Sequence, residues 1–227
     1  MNIRDILGKL DLIESDEDSV VEPKDNAQNP KQQNRLAPNG KPSNLNPVQY
    51  QQVRTPEFKA WFGDWENSPQ SASKVVDENG EPMIMYTGTS SDTDFDKFKT
   101  PKNGVWFSKS RESAANYAMQ NDSQDVKYNP NTGKYDNINT ASRVIPVFIN
   151  IKTPHISTKA DFDRVNVSNY KAAQAKLFNE FRQAGYDGVQ WTSSDWVAIA
   201  NANQLKSAIG NTGSFSQKSS KIHEKLQ

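Results

Sequence analysis

The pattern of apolar positions opens with Ile3, Ile6, Leu7, Leu10 and Ile13 at helical spacing, facing away from Arg4, Asp5, Lys9 and Asp11. This predicts an amphipathic docking helix over residues 1–14. A lone helix of that length is marginal in water, so it docks either onto its own domain or onto a partner. Over residues 15–54 the periodicity is lost among Asp, Glu, Asn, Gln, Pro and Lys. Such a composition cannot offset the entropy of ordering and predicts a disordered linker. The pattern returns at Thr55-Pro56-Glu57, where a hydroxyl cap, a first-turn proline and an early acid predict a helix. Its aromatic residues, Phe58, Trp61, Phe62 and Trp65, belong in a core.

Beyond this helix the apolar runs shorten. Lys74 to Val76 and Pro82 to Tyr86 flank Asp77-Glu78-Asn79-Gly80-Glu81, and Asn-Gly between apolar runs signals a hairpin. Val105 to Ser108 predicts a short strand, and Ser110 to Gln120 a capped helix burying Ala114, Ala115, Tyr117 and Ala118. The polar stretch 121–142, punctuated by Asn-Pro-Asn-Thr-Gly, predicts a long mobile loop. VIPVFINI over 144–151 is apolar on both faces apart from Pro146 and Asn150, the mark of a buried strand with its proline at an edge or bulge. Helices follow over 159–164 and 168–184, the second stopped by Gly185, and then strands over 186–191 and 195–199. Past Gly210 the chain turns polar and basic, and 216–227 reads as a flexible tail. Short strands without regular strand-helix alternation predict an α+β fold with a split β-sheet over 55–215.

Composition narrows the function classes. Only 34% of the 227 residues are hydrophobic, in keeping with a chain that is unfolded in part. Lys plus Arg and Asp plus Glu balance at 27 each, so there is no whole-chain field for nucleic acid or an anionic membrane. The absence of cysteine removes disulfides, thiolate metal sites and a cysteine nucleophile. No apolar run spans a bilayer, and a soluble protein without a membrane partner is expected. His155 and His223 are the only histidines, and neither a metal site nor a Ser-His-Asp triad is expected from them. Walker and Gly-x-Gly-x-x-Gly loops are missing, which removes support for kinase and dehydrogenase chemistry. Tyr86-Thr87-Gly88-Thr89-Ser90 remains as a strand exit with two hydroxyls around a glycine, where backbone donors and a close-approaching ligand can meet.

Five stretches in order, FKAWFGDW, KVVDENGEPMIMYTGTS, GVWFSKSRESAANYA, RVIPVFINIKTP and GYDGVQW followed by DWVAIANANQLKSAIGNTGSF, carry a resemblance. Together they resemble the ADP-ribosyltransferase-like domain of polyvalent and head-associated proteins of tailed bacteriophages. The resemblance implies NAD as substrate and residue roles by position. Thr87 stands where the His-Tyr-Glu branch has the histidine that contacts the NAD ribose. Trp106, with Phe107 after it, stands at the nicotinamide-stacking aromatic, and Tyr117 at the second aromatic on the following helix. Asp195 stands at the catalytic glutamate. Tyr86, Gly88 and Thr89 complete the cofactor-binding set. The target-recognition element falls on Gln190 to Ser194, and Ser193 in place of the first acid of a Glu-x-Glu pair argues against an arginine acceptor.

These positions imply a phage mono-ADP-ribosyltransferase that modifies a host or viral protein or nucleic acid, in the host cytoplasm or packaged in the virion. Asp195, Trp106 and Thr87 would be its catalytic residues. The alternative is a catalytically degenerate NAD-binding or virion-associated interaction protein, tethered to a virion or host protein by Met1 to Glu14.

Overall fold

The computed structural model describes residues 35–89, 98, 104–122, 126–137, 143–191, 196–211 and 215–222. The docking helix and the linker up to residue 34 lie outside them, as do Asp195 and Thr192 to Ser194.

Two short helices come first, α1 (Pro47–Gln52) and α2 (Pro56–Phe62). Asn46 caps α1 in a reciprocal box with Gln49, and the Thr55 hydroxyl accepts from the Phe58 amide to open α2. Leu45 and Val53 are buried with the α2 aromatics, Trp65, Phe148 and Phe215 in one cluster. The linker expected to run to Arg54 therefore ends by Arg35, where a compact unit begins. Its few apolar residues suffice because α2 offers them an aromatic surface. Arg54 completes the attachment, with its guanidinium over the Tyr50 ring and 2.7 Å from the fully buried Glu81 carboxylate.

The strands are β1 (Met85–Thr89), β2 (Val105–Ser108), β3 (Val126–Asn129), β4 (Lys134–Asn137), β5 (Arg143–Ile149), β6 (Pro154–Ile156), β7 (Gly188–Gln190), β8 (Trp196–Ile199) and β9 (Leu205–Ser207). Three longer connections form α3 (Arg111–Asp122), α4 (Lys159–Val165) and α5 (Tyr170–Gln183). Seven strands make one sheet in the order β6-β7-β8-β2-β1-β5-β9. Among the described strands only β6 and β7 run parallel, and α4 and α5 supply the crossover that a parallel pair needs. Gly185, at φ +90°, closes α5, with the Tyr186 amide bonded back to the Phe181 carbonyl.

The sheet narrows at its centre. β1 pairs with β5 from Met85 to Thr89, but with β2 only through Tyr86 and Ser108. This is the physical form of the expected split: two half-sheets joined at one residue pair. The α+β class stands as read from the sequence.

Three local expectations are corrected. The loop expected over 121–142 contains the β3–β4 hairpin, because Asn-Pro-Asn-Thr-Gly is a turn between two strand-forming runs. The tail expected from 216 is ordered to Ile222, which is 1% exposed. There the buried Lys206 ammonium donates to the Ser219 and Lys221 carbonyls. Pro146 sits within an interior strand rather than at an edge or bulge. Its carbonyl accepts from Ala208, so its nitrogen faces the Ala208 carbonyl just past β9, and that carbonyl takes its donor from the Gln49 side chain instead.

Candidate active site

Strand alternation assigns the site residues to two faces of the sheet. Tyr86, Gly88, Trp106 and Ser108 share the face covered by α3 and α5, because cross-strand partners project to the same side. Met85, Thr87 and Phe107 share the other, where Met85 and Phe107 pack with Val147, Val197 and Ile199.

Gly88 stands against α3. A Cβ there would lie 1.9 Å from the Ala114 carbonyl oxygen and 2.9 Å from the Ala118 Cβ. Its lack of a side chain is therefore first a helix-packing requirement. Its backbone has a second consequence. Since Pro146 turns its polar groups to β9, its partner Tyr86 turns its own towards β2, and so does Gly88 two residues on. The β2 ladder ends at Tyr86, so the amide and carbonyl of Gly88 point into the opening between the half-sheets. A donor and an acceptor side by side fit a carboxamide, the polar group of nicotinamide.

Trp106 is partly buried at this opening, its ring stacked on Trp191 with centroids 5.9 Å apart. Tyr117 projects from α3 and is 53% exposed, rather than buried as its helical spacing predicts. Thr89 is partly buried beside Arg143 on β5. Thr87 is 7% exposed, and Phe107 is wholly buried. Phe107 thus belongs to the core on the far face and supports β2 from behind, in place of the ligand contact expected of it. Trp191, which the sequence marks only as part of a recognition element, is the residue that sequence reasoning missed. An aromatic at the end of a strand beside a second aromatic strand was its only signal.

Elsewhere, His155 lies against the Phe181 ring at 3.7 Å and donates from Nε2 to Asp161 Oδ2 at 3.0 Å. Burial opposes the charge on Asp161. Hydrogen bonds from His155 and from the amide and hydroxyl of Thr158 outweigh it and hold the carboxyl below the ordinary carboxylate range. Asp161 and Thr158 together cap α4, on a different part of the sheet. Among the described residues no His, Cys, Asp and Glu cluster could hold a metal ion, and no helix is long and apolar enough to cross a membrane. A cavity lined by Val75, Met83, Met85, Lys109 and Val197 lies on the face opposite Trp106. Its walls mix core side chains such as Met85 and Val197 with Lys74, Lys109 and Gln190, and they include neither Gly88 nor Trp106.

Comparison with known proteins assigns the family. A family model described as ADP-ribosyltransferase in polyvalent proteins matches residues 77–215, from the β-turn before β1 to the aromatic residue that closes the core. No curated protein and no solved structure matches the chain. The family's chemistry is ADP-ribosyl transfer from NAD, and the matched span includes Gly88, Trp106, Tyr117 and Asp195. The chain belongs to the family of ADP-ribosyltransferase domains of polyvalent proteins.

Proposed function

We propose that the chain is a bacteriophage mono-ADP-ribosyltransferase acting on a host or viral macromolecule. The observation that carries this reading is the unladdered backbone of Gly88, which faces β2 where the two strands part, with Trp106 opposite it and α3, which bears the exposed Tyr117, over the same face, all within the family-matched span. On this reading Gly88 holds the nicotinamide carboxamide, with Trp106 and Tyr117 flanking the ring. Tyr86 forms the β1 wall beside the ribose; Thr87, at the position of the family's histidine, faces the other side of the sheet and leaves that contact unfilled.

The bond between nicotinamide and the ribose C1′ breaks, and nicotinamide leaves with the electron pair. The acceptor's nucleophile bonds to C1′ and gives up its proton. Asp195 stabilises the positive charge that develops on the ribose. Aspartate is shorter than glutamate by one methylene, about 1.5 Å. A misplacement of about 1 Å can cost on the order of a hundredfold in rate, so turnover is slow unless the segment 192–195 brings the carboxylate forward. The same segment, with Gln190 and Trp191, meets the acceptor, and Met1 to Glu14 docks the enzyme to a virion or host protein.

A second reading, a catalytically degenerate NAD-binding or interaction module, is favoured by the near-burial of Thr87. Incubating the protein with NAD and cell lysate separates the two. Free nicotinamide and mass-shifted proteins that disappear in Asp195→Ala are expected. Turnover that survives Asp195→Ala refutes the assignment of the acid. Thermal stabilisation by NAD without nicotinamide release identifies the degenerate module.

A further inference from the structure

We infer that Trp191 is a positioning residue that sets the plane of the Trp106 indole, an inference that rests on the proposed placement of nicotinamide against Trp106. Trp191 is 8% exposed and stacks on Trp106 with ring planes 27° apart. Phe178, Val189 and Ala198 belong to the same cluster, so the Trp191 ring is held within the core beneath α5. Trp106 is only partly buried. The stack thus fixes an indole that still meets the opening beside Gly88.

Trp191 also lies one residue beyond the last ladder pair of β7, Gln190 with Val197. Strand pairing does not demand a large ring there. The chain then runs through 192–195 and re-enters the sheet at Trp196, which pairs with Ser108 at the end of β2. One side chain thereby holds the indole proposed to face nicotinamide, and its removal frees that stacking surface.

The test uses the full chain with NAD as the probe. The dissociation constant for NAD, the KM and kcat for nicotinamide release, and the melting temperature are measured for wild type, Trp191→Ala, Trp191→Phe, Trp106→Ala and Trp106→Ala/Trp191→Ala. Loss of an aromatic pair predicts an NAD dissociation constant raised about threefold to tenfold in Trp191→Ala, largely restored in Trp191→Phe. In the Trp106→Ala background, Trp191→Ala should weaken NAD binding no further, because the two act through one stack. If Trp191→Ala does not fold, Trp191→Leu fills the space without an aromatic face and gives the same comparison. A variant that melts earlier but binds NAD with the wild-type constant overturns the inference and makes Trp191 a core residue only. Equal weakening in both backgrounds also overturns it. Wild type that fails to bind NAD overturns the proposed function and this inference with it, whereas wild-type binding with no effect at Trp191 overturns the inference alone.

Discussion

Gly88→Ala tests how tightly the opening is built. The added Cβ would lie 1.9 Å from the Ala114 carbonyl oxygen, against the 3.4 Å at which ordinary contact begins, so β1 and α3 must part by roughly 1.5 Å. The obstacle is backbone, which no rotamer change can move. Gly88 is not among the glycines with positive φ, so the cost is steric rather than conformational. Overpacking of this kind costs about 1–3 kcal/mol. In a domain of about 200 residues each kcal/mol lowers the melting temperature by about 2–4 °C. The functional cost is larger, since Tyr117 rides on α3 and a displacement of about 1 Å can cost on the order of a hundredfold in rate. Melting curves with and without NAD, together with nicotinamide release, read both effects. Gly133→Ala is the control, because an added Cβ there meets nothing within 4 Å and only the strain of φ +65° remains. A Gly88→Ala protein that melts and turns over like wild type would refute the packing of α3 on β1.

Removing residues 1–34 should leave the melting temperature within a few degrees of the full chain. Removing 1–54 takes away Leu45, Val53 and the Arg54 partner of buried Glu81, and should destabilise the fold by several kcal/mol; equal melting of the two truncations would restore the longer linker. The Asp161 carboxyl, held below its ordinary 3.8, makes the unfolded chain the first to take up a proton on acidification. Its contribution to stability is therefore complete above that value and is lost as pH falls through the lower folded one. Asp161→Asn should flatten the acid limb of a melting-temperature profile, and an unchanged limb would place the proton uptake elsewhere.

How much of this was legible in the sequence depends on the distance over which each signal acts. The aromatic helix α2, the Asn-Gly turn and the Gly185 stop are local, and periodicity, capping and glycine chemistry place them well. The segment 35–54 reads as linker because composition averages over a long polar stretch. Its folding depends on Leu45 and Val53 meeting a distant aromatic surface, although the Asn46 and Gln49 capping box was there to be read. The β3–β4 hairpin was hidden in the same way by polar strands around a good turn. At the site, residue types indicated strand ends and aromatics but not faces. Only the register shows that Thr87 and Phe107 look away from Trp106, and that Gly88 is small for the sake of α3. Trp191 became visible only once β7 and β2 were set on the same sheet, on either side of β8.

Amide hydrogen exchange with and without saturating NAD tests the central claim most directly. The account predicts NAD-dependent protection concentrated at residues 86–89 and 105–107, where β1 and β2 part, with the aromatic cluster around α2 unchanged. Protection confined to other parts of the chain, or none at NAD concentrations that saturate binding, would contradict it.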